Sequence, residues 1–304
     1  MNLVDNIRIF RKVAEVQSFS KAARELRVTQ PTISKAIASL EQELGIQIFR
    51  RSSRGLTLTD EGQSFLKIGG GAVDQLDAAV ASTKHEKLLL KGQLKISCSL
   101  VLGRLILVPM LDAFRKLHPE LKLNFHLSDH YVNLVEEGID LAIRLGNLED
   151  SSLKAIKIGS WGRALFASPK YIKKHGQPKK IEDLVNHRLI YYNTANDRPI
   201  WKFKTSAGGE ASFPFDPYIQ ADGSDFIREA VLNGLGITYA PTWIMIEPEK
   251  KGAVTRMLEE LCGARFPIHA VTVGPNSMSA KQKAFAEFLK SQFDQIPELR
   301  ATKS

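Results

Sequence analysis

Two short helical patterns meet across a three-residue break within residues 18–44, and this segment constrains the fold more than any other part of the chain. The expected apolar faces are Phe19, Ala22, Ala23 and Leu26 in the first helix and Ile33, Ile37, Leu40 and Leu44 in the second. Ser18 or Ser20 can cap the first helix. Thr29 is the expected cap of the second helix, which has Pro31 in its first turn. Helices this short, joined this tightly, must cross steeply, so the sequence predicts a helix-turn-helix motif.

The amino-terminal half of the second helix leaves short hydrogen-bonding side chains and one cation uncovered. A glutamine can pair with adenine through two hydrogen bonds, and a lysine can reach the acceptors of guanine in a major groove. The residues predicted to contact DNA from this motif are Ser18, Ser20, Thr29, Gln30, Pro31, Thr32, Ser34 and Lys35. Among them, Gln30, Ser34 and Lys35 are expected to read the bases. The alternative is an ordinary solvated helix face.

A basic, β-prone segment follows the second helix and favours DNA binding over a solvated face. Arg50, Arg51 and Arg54 lie in the sequence IFRRSSRGLTLTDEG, which predicts a hairpin, or wing, over the phosphates. The first 60 residues contain ten Lys and Arg against six Asp and Glu, in a chain of net charge +9. Such an excess of positive charge is typical of a domain that binds nucleic acid.

These residues resemble the DNA-binding half of LysR-type transcriptional regulators, and the resemblance covers nearly the whole chain. The matching segments, in order, are TQPTISK, LEQELGIQIFRR, LTLTDEG, EEGIDLAIRLG, ASPKY and NGLGI. The resemblance implies a winged helix-turn-helix domain over residues 1–58, a linker and dimerisation helix over 59–88 and an effector-binding domain over 89–304. It also implies a sequence-specific regulator of transcription that is not an enzyme. Its partners would be double-stranded promoter DNA and further copies of itself, as a homodimer or homotetramer.

A long polar helix is predicted from Thr59, which can cap it, to Leu88. Apolar residues recur every seven positions, which predicts a short coiled-coil seam between two DNA-binding heads. The seam positions are Leu66, Val73 and Val80, with Leu76 and Thr83 offset by three. The triplet Gly69–Gly71 is costly inside a helix, because each glycine lowers helix stability by roughly 1 kcal/mol relative to alanine. Either the helix bends there or a partner helix packs closely over the triplet.

Short apolar strands alternate with helical patterns from residue 92 onward. The predicted strands are LKISCS, LKLNFHL, DLAIRL, RALFASP, RLIYY, YIQAD, GITYA and HAVTV, and the predicted helices cover residues 105–117, 132–137, 226–232 and 280–293. This alternation favours an α/β fold with a mainly parallel sheet. The resemblance implies two α/β lobes like those of periplasmic binding proteins. The chain would cross between the lobes near 159–162 and return near 266–270.

A small-molecule effector is expected in the crevice between these lobes, at the carboxyl ends of strands. The candidate effector-binding residues are Ser97, Ser99, Ser128, Arg144 and Asp222. Arg144 can pair with a carboxylate, and the free amides of the helix after Ser99 favour negative charge. The sequence therefore predicts a small carboxylate with at least one hydrogen-bond donor. The alternative is that Arg144 bridges Asp129 or Asp140 and that the serines only cap helices.

Other classes of function have less support in the sequence. A metal site would require His126, Asp129, His130 and Cys98 to converge, although two of them lie in different predicted elements. Cys98 and Cys262 have neither disulfide nor zinc spacing and suit a reducing cytoplasm. No apolar run is long enough to span a membrane, so we expect a cytoplasmic protein. We also expect no cofactor. A DNA-tethered enzyme and an architectural DNA-binding protein without an effector are the alternative classes.

Overall fold

The computed structural model of the protein describes residues 2–52, 55–83, 90–130, 132–148, 153–193, 198–204, 209–261, 264–273 and 278–301. The chain divides into two compact units, residues 1–89 and residues 90–304.

The first unit is a three-helix head followed by a hairpin and a long helix. Its elements are α1 (Leu3–Val16), α2 (Phe19–Leu26), α3 (Gln30–Leu44), β1 (Phe49–Ser52), β2 (Gly55–Leu58) and α4 (Asp60–Thr83). Ser18 caps α2 by accepting a hydrogen bond from the amide of Lys21. Arg27 has a φ of 56°, in the left-handed region, and so ends α2 as sharply as the three-residue break requires. The predicted helix-turn-helix and wing are present.

Phe10 of α1 lies at the centre of the head and is fully buried. Its ring contacts Phe49 of β1 at 5.4 Å and Phe65 of α4 at 5.6 Å between centroids, so the hairpin and the long helix both pack on the same core. Val73 is buried in this core and Leu66 packs against it. The predicted coiled-coil seam is therefore wrong at Val73, whose side chain is buried within its own head, whereas Leu66 is only half-buried there.

The glycine triplet lies inside α4, which is helical without interruption from Asp60 to Thr83. A Cβ on Gly69 would lie 2.9 Å from Cζ of Phe65, and one on Gly70 would lie 3.5 Å from Cδ of Arg11. The Arg11 guanidinium donates a hydrogen bond of 3.5 Å to the carbonyl of Gly70. A Cβ on Gly71 would meet no atom within 4 Å. Gly70 thus faces α1 of the same head.

The second unit contains one long mixed sheet, flanking helices and a separate hairpin. Its strands are β3 (Gly92–Cys98), β4 (Leu121–Leu127), β5 (Leu141–Leu145), β6 (Lys154–Ala167), β7 (Leu189–Tyr192), β8 (Ile200–Lys204), β9 (Glu210–Pro214), β10 (Ile219–Ala221), β11 (Ile237–Pro241), β12 (Thr255–Met257) and β13 (Arg265–Thr272). Its α-helices are α5 (Leu100–Leu102), α6 (Val108–Leu117), α7 (Pro169–His175), α8 (Ser224–Leu232), α9 (Ile246–Lys250) and α10 (Ala280–Phe293). A π-helical turn (Gly103–Leu107) joins α5 to α6, and 3-10 turns cover Ile181–Asn186, Thr242–Met245 and Glu259–Leu261.

The long strand β6 belongs to both lobes of this unit. The sheet order is β10-β7-β11-β6-β13-β5-β3-β4, with β12 also paired to β6. From Lys154 to Gly162, β6 pairs with β13 in the first lobe, and from Arg163 to Phe166 it pairs with β11 in the second. The lobes therefore meet beside Gly162 and Arg163, close to the predicted crossing.

Three details of the predicted fold are wrong. The sheet is mixed rather than mainly parallel, because β6 and β13 run antiparallel to every strand they pair with. Residues 132–137 do not form a helix but lie in a turn that closes at Gly138, whose φ is +60°. The hairpin β8–β9 was not predicted at all, although Trp201 and Phe203 of β8 enter the core of the second lobe.

Candidate functional site

The amino end of α3 presents the side chains predicted to contact DNA, and some of them already hold the motif together. Thr29 Oγ1 accepts a hydrogen bond of 3.3 Å from the amide of Thr32, and the two threonine hydroxyls lie 2.8 Å apart. Pro31 lies in the first turn, as expected. These contacts cap the helix, as does Ser18 at α2, so these residues fix the position of the helix end in the head.

Gln30 is held by a side chain from the preceding helix. The hydroxyl of Ser20 donates a hydrogen bond of 3.0 Å to Oε1 of Gln30, and both residues are exposed. Lys35 is exposed one turn further along α3, and Ser34 is half-buried. The exposed amide and ammonium groups thus lie at the end of a helix that a major groove can accept.

The wing is a short antiparallel hairpin in which Arg50 pairs with Thr57 and Arg51 with Leu56. The side chain of Arg50 is exposed. The side chain of Arg51 and the whole of Arg54 lie outside the described residues. The amides of Ile48 and Phe49 both donate to Oε1 of Glu41 in α3, which anchors the start of the hairpin to the motif.

A cleft of about 620 Å³ lies between the two lobes of the second unit. On the side of the first lobe, its lining includes four of the predicted residues: Ser97, Ser99, Ser128 and Arg144. On the other side, the lining includes residues of the β7, β8 and β11 strands and of the 3-10 turn that follows β11. The cleft is large enough for a small organic molecule.

At the predicted anion site, the start of the helix after Ser99, side chains of the protein already accept hydrogen bonds from the free amides. Oδ1 of Asp129 accepts a hydrogen bond of 3.1 Å from the amide of Leu100. The hydroxyl of Ser99 accepts one of 3.3 Å from the amide of Leu102. Two of the amides expected to hold an anion are therefore already bonded, one of them to a carboxylate, which weakens this part of the prediction.

The remaining predicted residues of the cleft have partners of different kinds. Ser128 bonds through its hydroxyl to the backbone amide of His130 and to its carbonyl. The Arg144 guanidinium donates a hydrogen bond of 3.0 Å to the carbonyl of Val132. Asp140, offered as an alternative partner for Arg144, accepts a hydrogen bond of 2.8 Å from the amide of Lys95.

Asp222 is not among the residues that line the cleft, so the cleft lining does not support its assignment to the effector site. Its side chain is exposed, and the chain turns at Gly223 into α8. Ser224 and Ile227 of that helix face the cleft instead. β10 runs parallel to β7, whose carboxyl end lines the cleft, but β10 is the edge strand of the second lobe and lies furthest from β6.

Arg163 is a cleft residue that the sequence did not indicate. Its Cζ lies 5.5 Å from the ring centroid of Trp161, 5.9 Å from that of Tyr239 and 5.4 Å from that of Phe266. Burial lowers the pKa of this guanidinium below its ordinary value, and the neighbouring tyrosines act in the opposite direction. The predicted crossing of the chain near 159–162 was the only signal that could have pointed to it.

An ion pair joins the two lobes at the rim of the cleft. Arg104, in the π-helical turn of the first lobe, pairs with Asp225, in the first turn of α8 in the second lobe. Both side chains are substantially exposed, so the pair adds at most about 1 kcal/mol.

Two family models match the chain. The model for the LysR substrate binding domain matches residues 88–294, and the model for bacterial regulatory helix-turn-helix proteins of the lysR family matches residues 4–63. The chain belongs to the LysR family.

Several LysR-type proteins are similar to this chain over almost its full length. DmlR of Escherichia coli, a transcriptional regulator, is 30% identical over 96% of this chain and 94% of its own. The solved structure of CrgA from Neisseria meningitidis has 25% identity and a TM-score of 0.63, covering 95% of this chain and 98% of CrgA. Full-length AphB of Vibrio cholerae has 27% identity and a TM-score of 0.58, covering 96% and 99%.

The LysR family assigns a role to each of the two units. The helix-turn-helix head binds DNA, the second unit is an effector-binding domain, and the protein is an oligomeric regulator of transcription rather than an enzyme. In the part of the chain that the structure describes, no helix is long and apolar enough to cross a membrane. Within the same residues, no three or more His, Cys, Asp or Glu side chains gather as metal ligands, and His126 and His130 are part of no such group.

Cys98 of this LysR-type regulator lines the cleft but is poorly suited to redox chemistry. Burial raises the pKa of its thiol to about 12, and the nearby carboxylate of Asp129 adds to the effect. The reactive thiolate is therefore scarce at neutral pH. Cys262 lies outside the described residues.

Proposed function

We propose that this LysR-type regulator reads promoter DNA through the amino end of α3 and responds to a small carboxylate bound between the lobes of its effector domain. The observation that carries the proposal is the bond from Ser20 to Gln30, which orients an exposed amide at the end of α3. Since the protein is a transcriptional regulator, we also propose that it works in the cytoplasm.

Base reading and phosphate binding are assigned to different parts of the head. Gln30, Ser34 and Lys35 carry the sequence preference, because their side chains suit the major-groove edges of bases. The wing arginines supply salt-dependent affinity for the phosphates. Among them, Arg50 is the one whose side chain the structure describes. Ser18, Thr29, Pro31 and Thr32 position the helix end next to the DNA backbone.

A homodimer, or a homotetramer built from it, fits the exposed face of α4. Leu66 and Val73 are used inside the head, which leaves Ile68 and Leu76, 65% and 45% exposed, on a different face. Ala72 lies between them and is exposed as well. This stripe at spacings of four residues can pair with its copy across a two-fold axis, and a two-fold protein reads an interrupted dyad.

The effector is assigned to the cleft, with Ser97, Ser99, Ser128 and Arg144 on the wall of the first lobe. The cleft lining carries two arginines and one aspartate, so the balance of formal charge favours an anion. The serine hydroxyls can accept a hydrogen bond from a donor on the ligand. This supports a small carboxylate with at least one donor.

Selection of duplexes from a randomised pool, followed by titration at fixed salt against non-specific DNA, tests the proposal. We expect an interrupted dyad to be enriched and to bind at least 1,000-fold more tightly than random DNA, the lower limit for specific complexes. Enrichment of no sequence, with equal affinity for all duplexes, would instead indicate an architectural protein.

A further inference from the structure

We infer that Arg163 receives the acidic group of the effector and that the rings around it select a planar, aromatic acid. This inference rests on the proposed effector function of the cleft and names the class of ligand and the residue that anchors it.

Arg163 is a cation that has no counterion among the described residues. Its guanidinium is surrounded by the rings of Trp161, Tyr239 and Phe266, and it lies where β6 passes from the first lobe to the second. Among the described residues, no carboxylate lies within ion-pair distance of it, and no hydrogen-bond acceptor is bonded to it. A guanidinium stays protonated at neutral pH even when burial lowers its pKa. Arg163 is half-buried, and a charge that has lost part of its hydration without gaining a counterion is costly, so an anionic ligand would reduce that cost.

The other charged groups of the cleft are more fully engaged than Arg163. Arg144 donates to the carbonyl of Val132, and Asp129 accepts from the amide of Leu100. Asp129 also places a negative charge near the serine wall of the first lobe, which disfavours a carboxylate there. The acidic group of the ligand is therefore expected on the side of Arg163, and a donor group of the ligand on the side of the serines and Asp129.

Two indole N–H groups near Arg163 have no acceptor in the part of the chain that the structure describes. The Nε1 atoms of Trp161 and Trp243 are buried and have no acceptor among the described residues, and both tryptophans line the cleft. The two residues are only 6% and 3% exposed. Buried donors without acceptors are rare in native proteins. Because neither nitrogen is exposed to the cleft, the assignment rests on Arg163 and on the aromatic walls of the cleft.

The walls of the cleft favour a flat ring over an aliphatic chain. Six aromatic residues line it: Trp161, Tyr191, Tyr192, Trp201, Tyr239 and Trp243. Aromatic rings pack best on other rings in offset or edge-on geometry, and such pairs add about 0.5–1.5 kcal/mol beyond the area that they bury. An aromatic acid can place its ring among these side chains while its carboxylate pairs with the guanidinium.

Thermal unfolding of the full-length protein with four matched probes tests the inference. The probes are benzoate, 4-hydroxybenzoate, cyclohexanecarboxylate and benzamide. We expect the two aromatic acids to raise the melting temperature, since a ligand that binds only the native state stabilises it, and 4-hydroxybenzoate to do so most. The saturated acid lacks the planar aromatic ring, and the amide lacks the charge, so both should bind at least ten-fold more weakly.

Variants of Arg163 connect the response to this residue. Arg163→Gln should abolish the response to both aromatic acids, and Arg163→Lys, which keeps the charge but loses the planar fork, should weaken binding at least ten-fold. Arg188→Gln is the matched control, because this arginine lies 4.8 Å from the ring centroid of Tyr218 in the same lobe but does not line the cleft. Quenching of tryptophan fluorescence by the acids gives a second readout if Arg163→Gln folds poorly.

Failure of the inference and failure of the proposed function give different results. An unchanged response in both Arg163 variants, an equal response to cyclohexanecarboxylate and benzoate, or no response to any probe would overturn the inference. A protein that still selects an interrupted dyad in that case keeps its proposed function. Absence of any DNA preference would overturn the proposed function itself, whatever the probes do.

Discussion

The side chain of Gln30 is exposed and is also oriented by a hydrogen bond. Single exposed side chains usually lack such an orienting contact. Its Oε1 accepts the hydroxyl of Ser20 from α2, so a contact across the turn orients the amide that faces outward from α3. Holding a long side chain in one rotamer before binding reduces the entropy lost on contact with a base. We therefore propose that the turn of the motif acts on specificity as well as on the angle between the helices.

Replacing Gln30 should reduce specific binding alone. Gln30→Ala is expected to cost roughly 1–3 kcal/mol on the selected dyad and little on random DNA, because only the base contact is lost. Ser20→Ala should cause a smaller loss of the same kind. Arg50→Ala is the matched control, since it should weaken both duplexes and flatten the salt dependence. Fluorescence anisotropy measures all three, and equal losses on both duplexes for Gln30→Ala would contradict the assignment.

Cys98 should be nearly inert in the folded protein. With its pKa raised from 9.0 to about 12, the thiolate fraction at pH 8 is roughly 1,000-fold lower than in the unfolded chain. Iodoacetamide labelling followed by peptide mapping should therefore modify Cys98 slowly in buffer and quickly in urea. Because the folded pKa is the higher one, this residue costs no stability below about pH 9, and stability falls as pH rises from about 9 to 12. Equal labelling rates in both states would contradict the buried thiol.

The long helix α4 is part of the head over its first half. Phe65, Leu66 and Val73 pack on the core beneath α1, and Gly62 approaches so closely that a Cβ would lie 2.2 Å from the carbonyl oxygen of Ile48. Glycine at position 62 is thus required by a contact within one chain. The periodicity of the sequence alone suggested a dimer seam instead.

Alanine substitutions separate the roles of two glycines in α4. Gly71→Ala should raise the free energy of unfolding by about 0.5–1 kcal/mol, because the position is open and alanine is the better helix former. Gly69→Ala should gain less or destabilise the head, since its methyl group would lie 2.9 Å from the Phe65 ring. Urea unfolding measures the difference. Loss of dimers in Gly71→Ala, seen by sedimentation, would instead indicate that a partner helix packs on this position.

The whole molecule consists of two compact units, residues 1–89 and residues 90–304. We propose that it acts as a two-fold dimer, which brings two α3 helices to two half-sites, so that self-association and DNA affinity depend on each other. In this proposal the copies meet through the exposed apolar stripe on α4 formed by Ile68, Ala72 and Leu76.

Charges on that stripe should separate the copies. Ile68→Glu and Leu76→Glu are each expected to weaken self-association at least ten-fold in sedimentation velocity and to weaken binding to the full dyad. Binding to a single half-site should not change. Val185→Glu is the control, because Val185 is 75% exposed but lies in the second unit. Unchanged association in both stripe variants would show that the copies meet elsewhere.

Short-range features of the sequence determined much of this protein. Caps at Ser18 and Thr29, the apolar period of α3 and the charges of the wing predicted the DNA-binding head, because each depends on residues a few positions apart. Strand patterns predicted most of the sheet and four of the five effector candidates at the cleft for the same reason.

Only the tertiary structure decided which surfaces those elements cover. Leu66 and Val73 have a seam-like period, yet packing turns them into the head, and Asp222 ends a strand that proved to be an edge. Arg163 became a cleft residue because β6 passes between two lobes at that point and gathers rings from distant parts of the chain. Local periodicity determines that a face is apolar, whereas the element that covers the face depends on long-range packing, which no short segment encodes.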